Sequence, residues 1–504
     1  MIKKLLLLLF FICNYAFSQE EIPFSVRFQD YIQGDITFIA NNIVNRKNAN
    51  EAYNKVNDFS KLNDEFEMSY IDIDNDNSTF SSSSATIIPN KNAKELIFAG
   101  LYWSATYKSK IGHKISGIFL TEGDHENSIN DIKIKIPSQS SYLDITGKVI
   151  FDGYENETNK KNAPYTCFYD LTDMVKSNPY GEYSVANIKA TQGYLEGGVA
   201  GGWVIYFVYN DSTLTKKYIT LYDGFAFIQR TIEINLSKFL TPKTGQINPK
   251  ITLAALEGDL KLDGDNVRIK SAVNNRYFPI ISNTRPVNNF FNSQITIENE
   301  PFVTRNPASL NTLGFDVSLL SFNNTKNKII TNNASQTQLK IATSGDKFYL
   351  FAAGFSTEVD EVFFDIMKKE QRAEKEKNVS MNREEKNETI VRENKTPTNE
   401  GFILKRERIT ERMPISLRKL NVKNTDLKYG YYIVSNVFAN ESNKIKYIDF
   451  LKKHQIESNS FTNLENNFYY VYLKYFENLE DTQKAYDSNL DNTFFDDYWI
   501  LQVD

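Results

Sequence analysis

From about Phe24 to Ser356 the chain repeats short runs in which apolar and polar side chains alternate. The runs are rich in β-branched and aromatic residues and are separated by Asn, Gly, Asp or Ser, as in Glu95–Trp103, Gly202–Tyr209 and Lys347–Ala353. A period of two is typical of strands, and many short strands between turn residues predict a β-sandwich region over residues 19–357. Either one large sandwich or two packed sandwiches, with a break near Thr191, would fit this length.

The composition changes sharply after Glu358. The stretch Met367–Lys395 is dense in charges of both signs and poor in large apolar residues. Such a segment cannot bury enough surface to offset the entropy lost on ordering. A coiled coil is not favoured, because no apolar heptad is sustained. The pattern therefore predicts a charged flexible linker over residues 358–425.

Residues 426–504 have a different pattern, in which helical and strand periods alternate. It predicts, in order, a strand at 430–438, a helix at 440–454, strands at 456–461 and 468–476, a helix at 479–490 and a last strand at 498–503. The order β-α-β-β-α-β is that of a small α+β, ferredoxin-like module with both helices on one face of the sheet.

The first residues predict export. Met1–Lys4 is basic, Leu5–Ile12 is apolar, and Ala16–Ser18 places small residues where a signal peptidase reads. This is the pattern of a cleaved signal peptide over residues 1–18. The apolar run is shorter than the ~20 residues that a membrane helix needs. The expected location is the periplasm, or the outer membrane and cell surface.

Composition removes several classes of function. A length of 504 residues predicts two or three domains, and a net charge of −5 without a basic segment in the folded parts argues against nucleic acid as a partner. After signal removal Cys167 is the single cysteine, which excludes an internal disulfide and a cysteine zinc site. The chain has only three histidines, His113, His125 and His454, and they lie in separate places, so histidine triads and zinc hydrolases are poorly supported.

Two acidic stretches space oxygen ligands as calcium loops do. The candidate metal ligands are Asp72, Asp74 and Asp76 in the first stretch and Asp259, Asp263 and Asp265 in the second. The first is not an EF-hand, because Asn77 and Ser83 replace the required Gly and Glu. Calcium is thus a possible cofactor, and solvated Asn/Asp turns are the alternative. The carboxylates could also form the acid and base of a glycosidase, but the sequence does not fix their separation.

The last module resembles the SPOR family of envelope domains along its whole length. The residues that carry the resemblance are Tyr431–Val434, Val437–Phe438, Tyr469–Leu473, Phe476, Asn478–Ala485 and Tyr498–Ile500. The resemblance implies binding of peptidoglycan strands stripped of stem peptides, through the sheet face away from the helices.

On this chain that face is expected to carry Tyr432, Val434, Asn436, Tyr470, Tyr472, Lys474 and Trp499. Ile433, Val471 and Leu473 alternate inward, which turns the rings between them outward, where flat rings suit the faces of sugars. Val434 stands where SPOR domains often have Gln. A SPOR-like fold used for protein contact is the alternative.

Residues 26–357 resemble the N-terminal β-region of large surface adhesins of gliding bacteria. The matching segments are Gly34–Ile43, Met68–Ala85, Phe98–Ala105, Gly201–Tyr209, Ile219–Phe225, Asn311–Asp316 and Thr343–Asp346. The resemblance implies a surface or periplasmic β-sandwich without known chemistry. Those adhesins usually continue into repeats and a C-terminal secretion signal, and this chain carries the SPOR-like module instead.

The sequence therefore predicts a non-enzymatic scaffold protein of the cell envelope. Its SPOR-like module is expected to bind peptidoglycan, and its β-sandwich region an envelope or cell-surface protein of a secretion or gliding-motility apparatus. The alternative is a wall-targeted, carbohydrate-active enzyme that uses paired carboxylates. A groove with two facing carboxylates would favour the enzyme, and a filled sandwich with acidic residues only at loop tips would oppose it.

Overall fold

The computed structural model describes residues 22–47, 61–74, 76–90, 92–154, 156, 158–372, 417–419, 427–438, 441–463, 468–488, 490, 493 and 498–503. The chain divides into two compact units, Met1–Ser380 and Met381–Asp504. The predicted signal peptide and most of the predicted linker lie outside the described residues. None of the helices described has the length and apolar character needed to cross a membrane.

The first unit is built mainly of strands, which confirms the mainly-β prediction for this region. In chain order they are β1 (Ile22–Asn42), β2 (Val44–Arg46), β3 (Met68–Tyr70), β4 (Ser82–Ile87), β5 (Ala93–Thr106), β6 (Ile111–Ile115), β7 (Ile118–Glu122), β8 (Asp131–Lys135), β9 (Leu143–Thr146), β10 (Lys148–Asp152), β11 (Pro164–Asp170), β12 (Gly181–Ala186), β13 (Gln192–Gly193), β14 (Gly201–Asp211), β15 (Lys216–Ile228), β16 (Thr231–Leu236), β17 (Lys250–Leu256), β18 (Asn266–Lys270), β19 (Tyr277–Pro279), β20 (Ile295–Ile297), β21 (Glu300–Pro301), β22 (Arg305–Asn306), β23 (Phe315–Ser321), β24 (Thr337–Ala342) and β25 (Phe348–Glu358). One helical turn, α1 (Thr172–Val175), and two short 3₁₀ helices, Asn63–Glu65 and Thr325–Asn327, interrupt them.

Eleven strands form one hydrogen-bonded sheet in the order β10-β11-β5-β14-β1-β15-β25-β17-β23-β20-β21. The long strand β1 joins its two halves, because residues 22–33 pair with β15 and residues 34–42 pair with β14. We call the half from the start of β1 to β21 sheet A, and the half from β10 to the end of β1 sheet B. Three smaller sheets are sheet C (β2-β3-β13-β6-β7), sheet D (β22-β4-β12-β8-β9) and sheet E (β16-β24-β18-β19).

Three buried apolar clusters show how these sheets are layered. One cluster contains residues of sheet B, such as Trp203, with residues of sheets C and D. A second combines sheet A with sheet E. The third contains the opposite faces of sheets A and B, where Phe151 stacks on Phe225 at 4.0 Å and Thr252 Oγ1 donates to Tyr206 Oη at 3.2 Å. Sheets A and B therefore face each other, and each also packs against smaller sheets on its other side.

Gly34 lies where β1 leaves sheet A and enters sheet B. A Cβ atom there would lie 1.9 Å from the Tyr209 carbonyl oxygen of the neighbouring strand. Only glycine permits this close backbone approach, so the residue fixes the point at which the chain changes sheets.

The first unit continues beyond its last strand. Residues 361–372 form helix α2, in which Phe364 is buried and Phe363 and Met367 pack against the sheet A–sheet E cluster. Lys368 Nζ is also paired with Asp30 at 3.0 Å. The first unit thus includes residues that the sequence analysis assigns to the linker.

The second unit is smaller and contains both strands and helices. Its elements are β26 (Leu417–Lys419), β27 (Gly430–Phe438), α3 (Glu441–Lys453), β28 (Asn459–Asn463), β29 (Phe468–Phe476), α4 (Leu479–Asp487) and β30 (Trp499–Val503). The strands form one sheet, sheet F, in the order β26-β30-β27-β29-β28. Neighbouring strands from β30 to β28 are antiparallel, and β26 is parallel to β30.

Candidate functional site

The two helices of the second unit cover one face of sheet F. Tyr447, Phe450 and Leu451 of α3 and Ala485 and Tyr486 of α4 form a buried cluster with inward side chains of the sheet. The opposite face carries a second cluster, which we call the aromatic face and define as Tyr432, Phe461, Tyr470, Tyr472, Tyr475 and Trp499. The helices thus leave a sheet face lined by six aromatic rings.

These rings contact one another across three strands. Tyr432 of β27 lies 5.0 Å from Tyr472 and 4.9 Å from Tyr475 of β29, measured between ring centroids. Phe461 of β28 stacks on Tyr470 at 5.1 Å. Edge-to-face and stacked ring pairs stabilise beyond the area that they bury. The aromatic face is therefore a packed layer in its own right.

The burial of this layer differs from the sequence expectation of an open row of rings. Tyr432 is 3% exposed, Tyr470 is 4% exposed, and Val434 is fully buried. The Tyr432 hydroxyl donates to the Lys428 carbonyl oxygen at 2.8 Å. Tyr472, Tyr475 and Trp499 are partly exposed and supply the ring surface that a ligand can reach.

Two bulges move predicted residues off this face. In β27, Val434 pairs with Tyr472 but Asn436 already pairs with Val471, so Ser435 is an extra residue. Since Val437 packs against the aromatic face and Phe438 against the helix-side cluster, alternation puts Asn436 on the helix side.

The second bulge is at Leu473 of β29, which the strand pairing skips. Beyond it Tyr475 joins the aromatic face, whereas Lys474 lies with Nζ 5.5 Å from the Phe476 ring, which packs on the helix side. Asn436 and Lys474 are therefore not placed as the simple alternation predicts. Strict alternation gives no signal for Tyr475, although the aromatic composition of β29 hints at it.

The first acidic stretch is a hydrogen-bonded turn. Asp74 Oδ1 accepts from the Asp76 backbone N–H at 3.1 Å, and Asp76 Oδ1 accepts from Ser78 N–H at 2.8 Å. Burial raises the pKa of Asp74, but hydrogen bonds from Tyr142 and from Asp76 lower it by more, so it lies below its usual value. Asp72 accepts from Ser82 Oγ at 2.9 Å. These carboxylates have protein donors, as the solvated-turn alternative requires.

The second acidic stretch lies in the interior, where it joins residues from other parts of the chain. We define the buried acidic cluster as Glu257, Asp259, Asp265, Asp316 and Asp346, all of which are buried. Asp259 N–H donates to Asp346 Oδ2 at 2.9 Å, and Asp265 Oδ1 accepts from Phe290 N–H and Phe291 N–H. Asp263 is not part of it, since its carboxylate accepts from Asn288 near the surface.

Burial and mutual repulsion disfavour ionisation throughout this cluster. Burial, with repulsion from Asp346 and Asp259, raises the pKa of Glu257 well above its usual value. Burial, with repulsion from Asp265, raises the pKa of Asp346 to about 9. Burial raises the pKa of Asp265 to about 6, against the hydrogen bonds from Phe291 and Phe290. A cation or protons must offset this density of carboxylates.

Arg285 is the buried cation beside the cluster, and its contacts are specific. Its guanidinium is fully buried and donates to the Asp316 carboxylate, to Thr296 Oγ1 at 2.9 Å and to three backbone carbonyls. Burial raises the pKa of Asp316 even so. Within the described parts of the chain, no group of three or more His, Cys, Asp or Glu side chains is arranged to hold a metal ion.

Glu257 also lines a surface cleft of about 360 Å³ together with Glu196, Lys161, Phe227 and Tyr349. Its two carboxylate oxygens are buried and have no hydrogen-bond partner. A Cβ atom at Gly198 would lie 3.1 Å from Glu257 Oε2, so the glycine-rich segment Gly193–Gly202 closes over the carboxylate. The sequence indicates a flexible connection or tight corner in this loop but gives no sign that it covers an acid.

Comparisons with known proteins do not identify a family for this chain. No protein-family model matches the chain, and no curated protein matches it. One solved structure that it resembles is the crystal structure of a BuGH86 variant in complex with neoagarooctaose, at 11% identity and a TM-score of 0.16. The match covers 54% of this chain and 34% of the other. A likeness this weak carries no argument about fold or function.

Proposed function

We propose that this chain is a non-enzymatic scaffold protein of the cell envelope. Its second unit binds peptidoglycan glycan strands through the aromatic face, and its first unit binds an envelope or cell-surface protein of a secretion or gliding-motility apparatus. The predicted signal peptide is consistent with a periplasmic or outer-membrane-associated location.

The observation that carries the proposal is the aromatic face opposite the two helices. The sheet order β30-β27-β29-β28, with α3 and α4 on one side, is the arrangement expected of a ferredoxin-like module. It supports the resemblance to SPOR domains, whose ligand face is the one without helices.

The accessible part of this face has suitable chemistry for sugar. Tyr472, Tyr475 and Trp499 present partly exposed rings above a layer of buried rings, so their positions are fixed before a ligand arrives. Flat rings stack on the apolar faces of sugars, and preorganised rings lose little entropy on binding.

A hairpin of the first unit supports the proposed protein contact. Ile111, Ile115, Ile118 and Leu120 of β6 and β7 are exposed, and Ile115 pairs with Ile118 across the hairpin. β7 is the last strand of sheet C. A cluster of exposed apolar side chains on one hairpin is typical of protein-binding surfaces.

The test of glycan binding is sedimentation of the purified full-length mature chain with peptidoglycan whose stem peptides have been removed. We expect the wild type to sediment, and Tyr472→Ala and Trp499→Ala each to weaken sedimentation at least about tenfold, the equivalent of ~1.4 kcal/mol. Tyr429→Ala is the matched control, because Tyr429 is an exposed tyrosine outside the aromatic face.

A wild-type chain that stays in the supernatant would refute the wall-binding role. Equal sedimentation of Tyr472→Ala, Trp499→Ala and the control would place glycan contact elsewhere. Retained sedimentation only with intact stem peptides would favour peptide rather than glycan as the ligand.

The cleft beside Glu257 favours a second candidate function, hydrolysis of a carbohydrate. Glu196 and Glu257 line it, and a buried carboxyl with a raised pKa is suited to act as a general acid. The enclosed oxygens of Glu257 make this the weaker candidate. Release of reducing sugar from wall glycan, abolished in Glu257→Gln, would establish it, and no release by the wild type would exclude it.

A further inference from the structure

The buried acidic cluster contains acceptor oxygens that face no donor. Asp265 and Asn289 are joined by an isolated β-bridge, and Asp265 Oδ2 and Asn289 Oδ1 have no hydrogen-bond partner. Both residues are buried. A buried acceptor left without a donor costs about 1–3 kcal/mol, more when it is charged, so two in adjacent residues indicate a missing positive partner.

The orientation of both side chains is fixed by their other atoms. Asn289 Nδ2 donates to the Leu260 carbonyl oxygen at 3.1 Å, and a carbonyl can only accept, so the amide oxygen must point away from it. Asp265 Oδ1 accepts from two backbone N–H groups, at 2.6 Å from Phe290 and 2.9 Å from Phe291. Each residue therefore holds one polar atom in the protein and leaves one oxygen unmatched.

Further carboxylates surround this pair. The loop that carries Asp346 lies against the loop that carries Asp265, because Ser344 N–H donates to the Gly264 carbonyl oxygen at 3.0 Å. Asp346 Oδ2 accepts from Asp259 N–H, and both oxygens of Glu257 are unmatched. The buried cation Arg285 is paired with Asp316. The remaining negative charge has no buried side-chain cation among the described residues in contact with it.

We propose that a calcium ion binds in the buried acidic cluster, ligated by Asp265 Oδ2 and Asn289 Oδ1 together with the carboxylate of Asp346. Calcium is the cation that suits a set of oxygen ligands with several carboxylates, and backbone carbonyls or water complete its six to eight ligands. Asp259 and Glu257 lie near Asp346, so the ion also reduces the repulsion among these carboxylates. The spacing of carboxylates in the sequence selects Asp263 instead, because it does not include the amide oxygen of Asn289.

The test uses the full-length mature chain, stripped with a chelator and dialysed at neutral pH. Equilibrium dialysis against calcium measures stoichiometry, and thermal unfolding with added calcium or magnesium measures stabilisation. We expect calcium to bind and to raise the melting temperature of the first unit, and magnesium to have a smaller effect. Asp265→Asn and Asn289→Leu should each abolish that rise.

The matched controls are Asp263→Asn and Asp76→Asn, which alter the carboxylates that sequence spacing suggests but that lie outside this site. They should keep the response to calcium. Because Asn289→Leu removes no charge, it remains informative if Asp265→Asn fails to fold.

Three results would overturn the proposal. They are no calcium binding by the wild type, an unchanged response in Asn289→Leu, or loss of the response in Asp76→Asn alone. A wild type that is indifferent to calcium but more stable in mild acid would show instead that a proton shared by Asp265 and Asn289 occupies the space.

Discussion

The two units bury different kinds of side chain. Among the described residues, the first unit buries charged groups at many positions, namely Asp30, Asp35, Asp211, Lys217, Asp223, Glu257, Asp259, Asp265, Arg285, Arg305, Asp316, Asp346 and Glu358. In the described part of the second unit the buried polar residues are Asn463 and Thr482, and the interior is otherwise apolar and aromatic.

This difference shows two ways of fixing a loop or a sheet face. A buried charge requires particular partners at short range, so it specifies where a neighbouring loop must lie. A packed layer of rings stabilises through area and tolerates small shifts. In the first unit a single substitution should therefore either keep a buried charge paired or leave it unpaired, with no intermediate loss of stability. In the second unit the loss of stability should grow with the ring area that is removed.

The largest effect is expected at Arg285. Arg285→Met leaves the buried Asp316 without its cation and deprives three carbonyls of a donor, so the free energy of unfolding of the first unit should fall by about 4 kcal/mol. Urea denaturation of the full-length chain measures it. Arg276→Met, at an exposed position, is the control and should change stability by only about 0.5 kcal/mol. A loss below about 1 kcal/mol at Arg285 would contradict this view of the first unit.

A smaller effect is expected at Tyr432 in the second unit. Tyr432→Ala removes a buried ring from the aromatic face and should destabilise this unit by roughly 3 kcal/mol through the cavity that remains. Tyr432→Phe removes only the hydrogen bond to the Lys428 carbonyl and should cost about 1 kcal/mol. Tyrosine fluorescence during urea unfolding can follow the series. Equal losses in both variants would mean that the hydroxyl, and not the ring, matters.

An effect smaller than that of Tyr432→Ala is expected at Asp35, whose carboxylate is 2.9 Å from both Lys217 Nζ and Lys250 Nζ. Burial raises the pKa of Asp35, but these two lysines lower it by more, so it lies below its usual value. A pKa lowered by folding stabilises above the unfolded value of about 3.9 and loses that contribution as the pH falls through the folded value. Asp35→Asn should therefore cost about 2 kcal/mol at pH 7, and the gap to wild type should close below about pH 4.

Stability curves of both chains between pH 2 and pH 8 would check this sign. A gap between wild type and Asp35→Asn that widened in acid would show that the two lysines do not govern the carboxylate.

Much of the fold follows from local pattern. Period-two alternation predicts the strands of the first unit, and helical and strand periods predict the order of elements from β27 to β30 in the second unit. They do not predict β26, which lies in the segment assigned to the linker. The layering of sheets A and B is less accessible, because it depends on β1 pairing with β15 through one half and β14 through the other. Short-range periodicity contains no information about that exchange of partners.

The candidate sites show the same limit. Tyr432, Tyr470 and Tyr472 can be assigned to their face from alternation, and the structure places them there. Asn436 and Lys474 cannot, because one extra residue at Ser435 and one at Leu473 reverse the alternation beyond them. Asp346 meets Asp265 from a distant part of the chain, so no spacing rule could bring them together.

Strand β1 also has a consequence for how the chain reaches this structure. Ile36 pairs with Val208 and Gln29 pairs with Thr220, so the strand that joins sheets A and B is made long before the strands with which it pairs. During synthesis its two edges stay unpaired until β14 and β15 have emerged. Pairing over such separations closes large loops and is slow, and unpaired edges recruit other chains in the meantime. Yield in the cell should thus depend on helper proteins that shield this first strand.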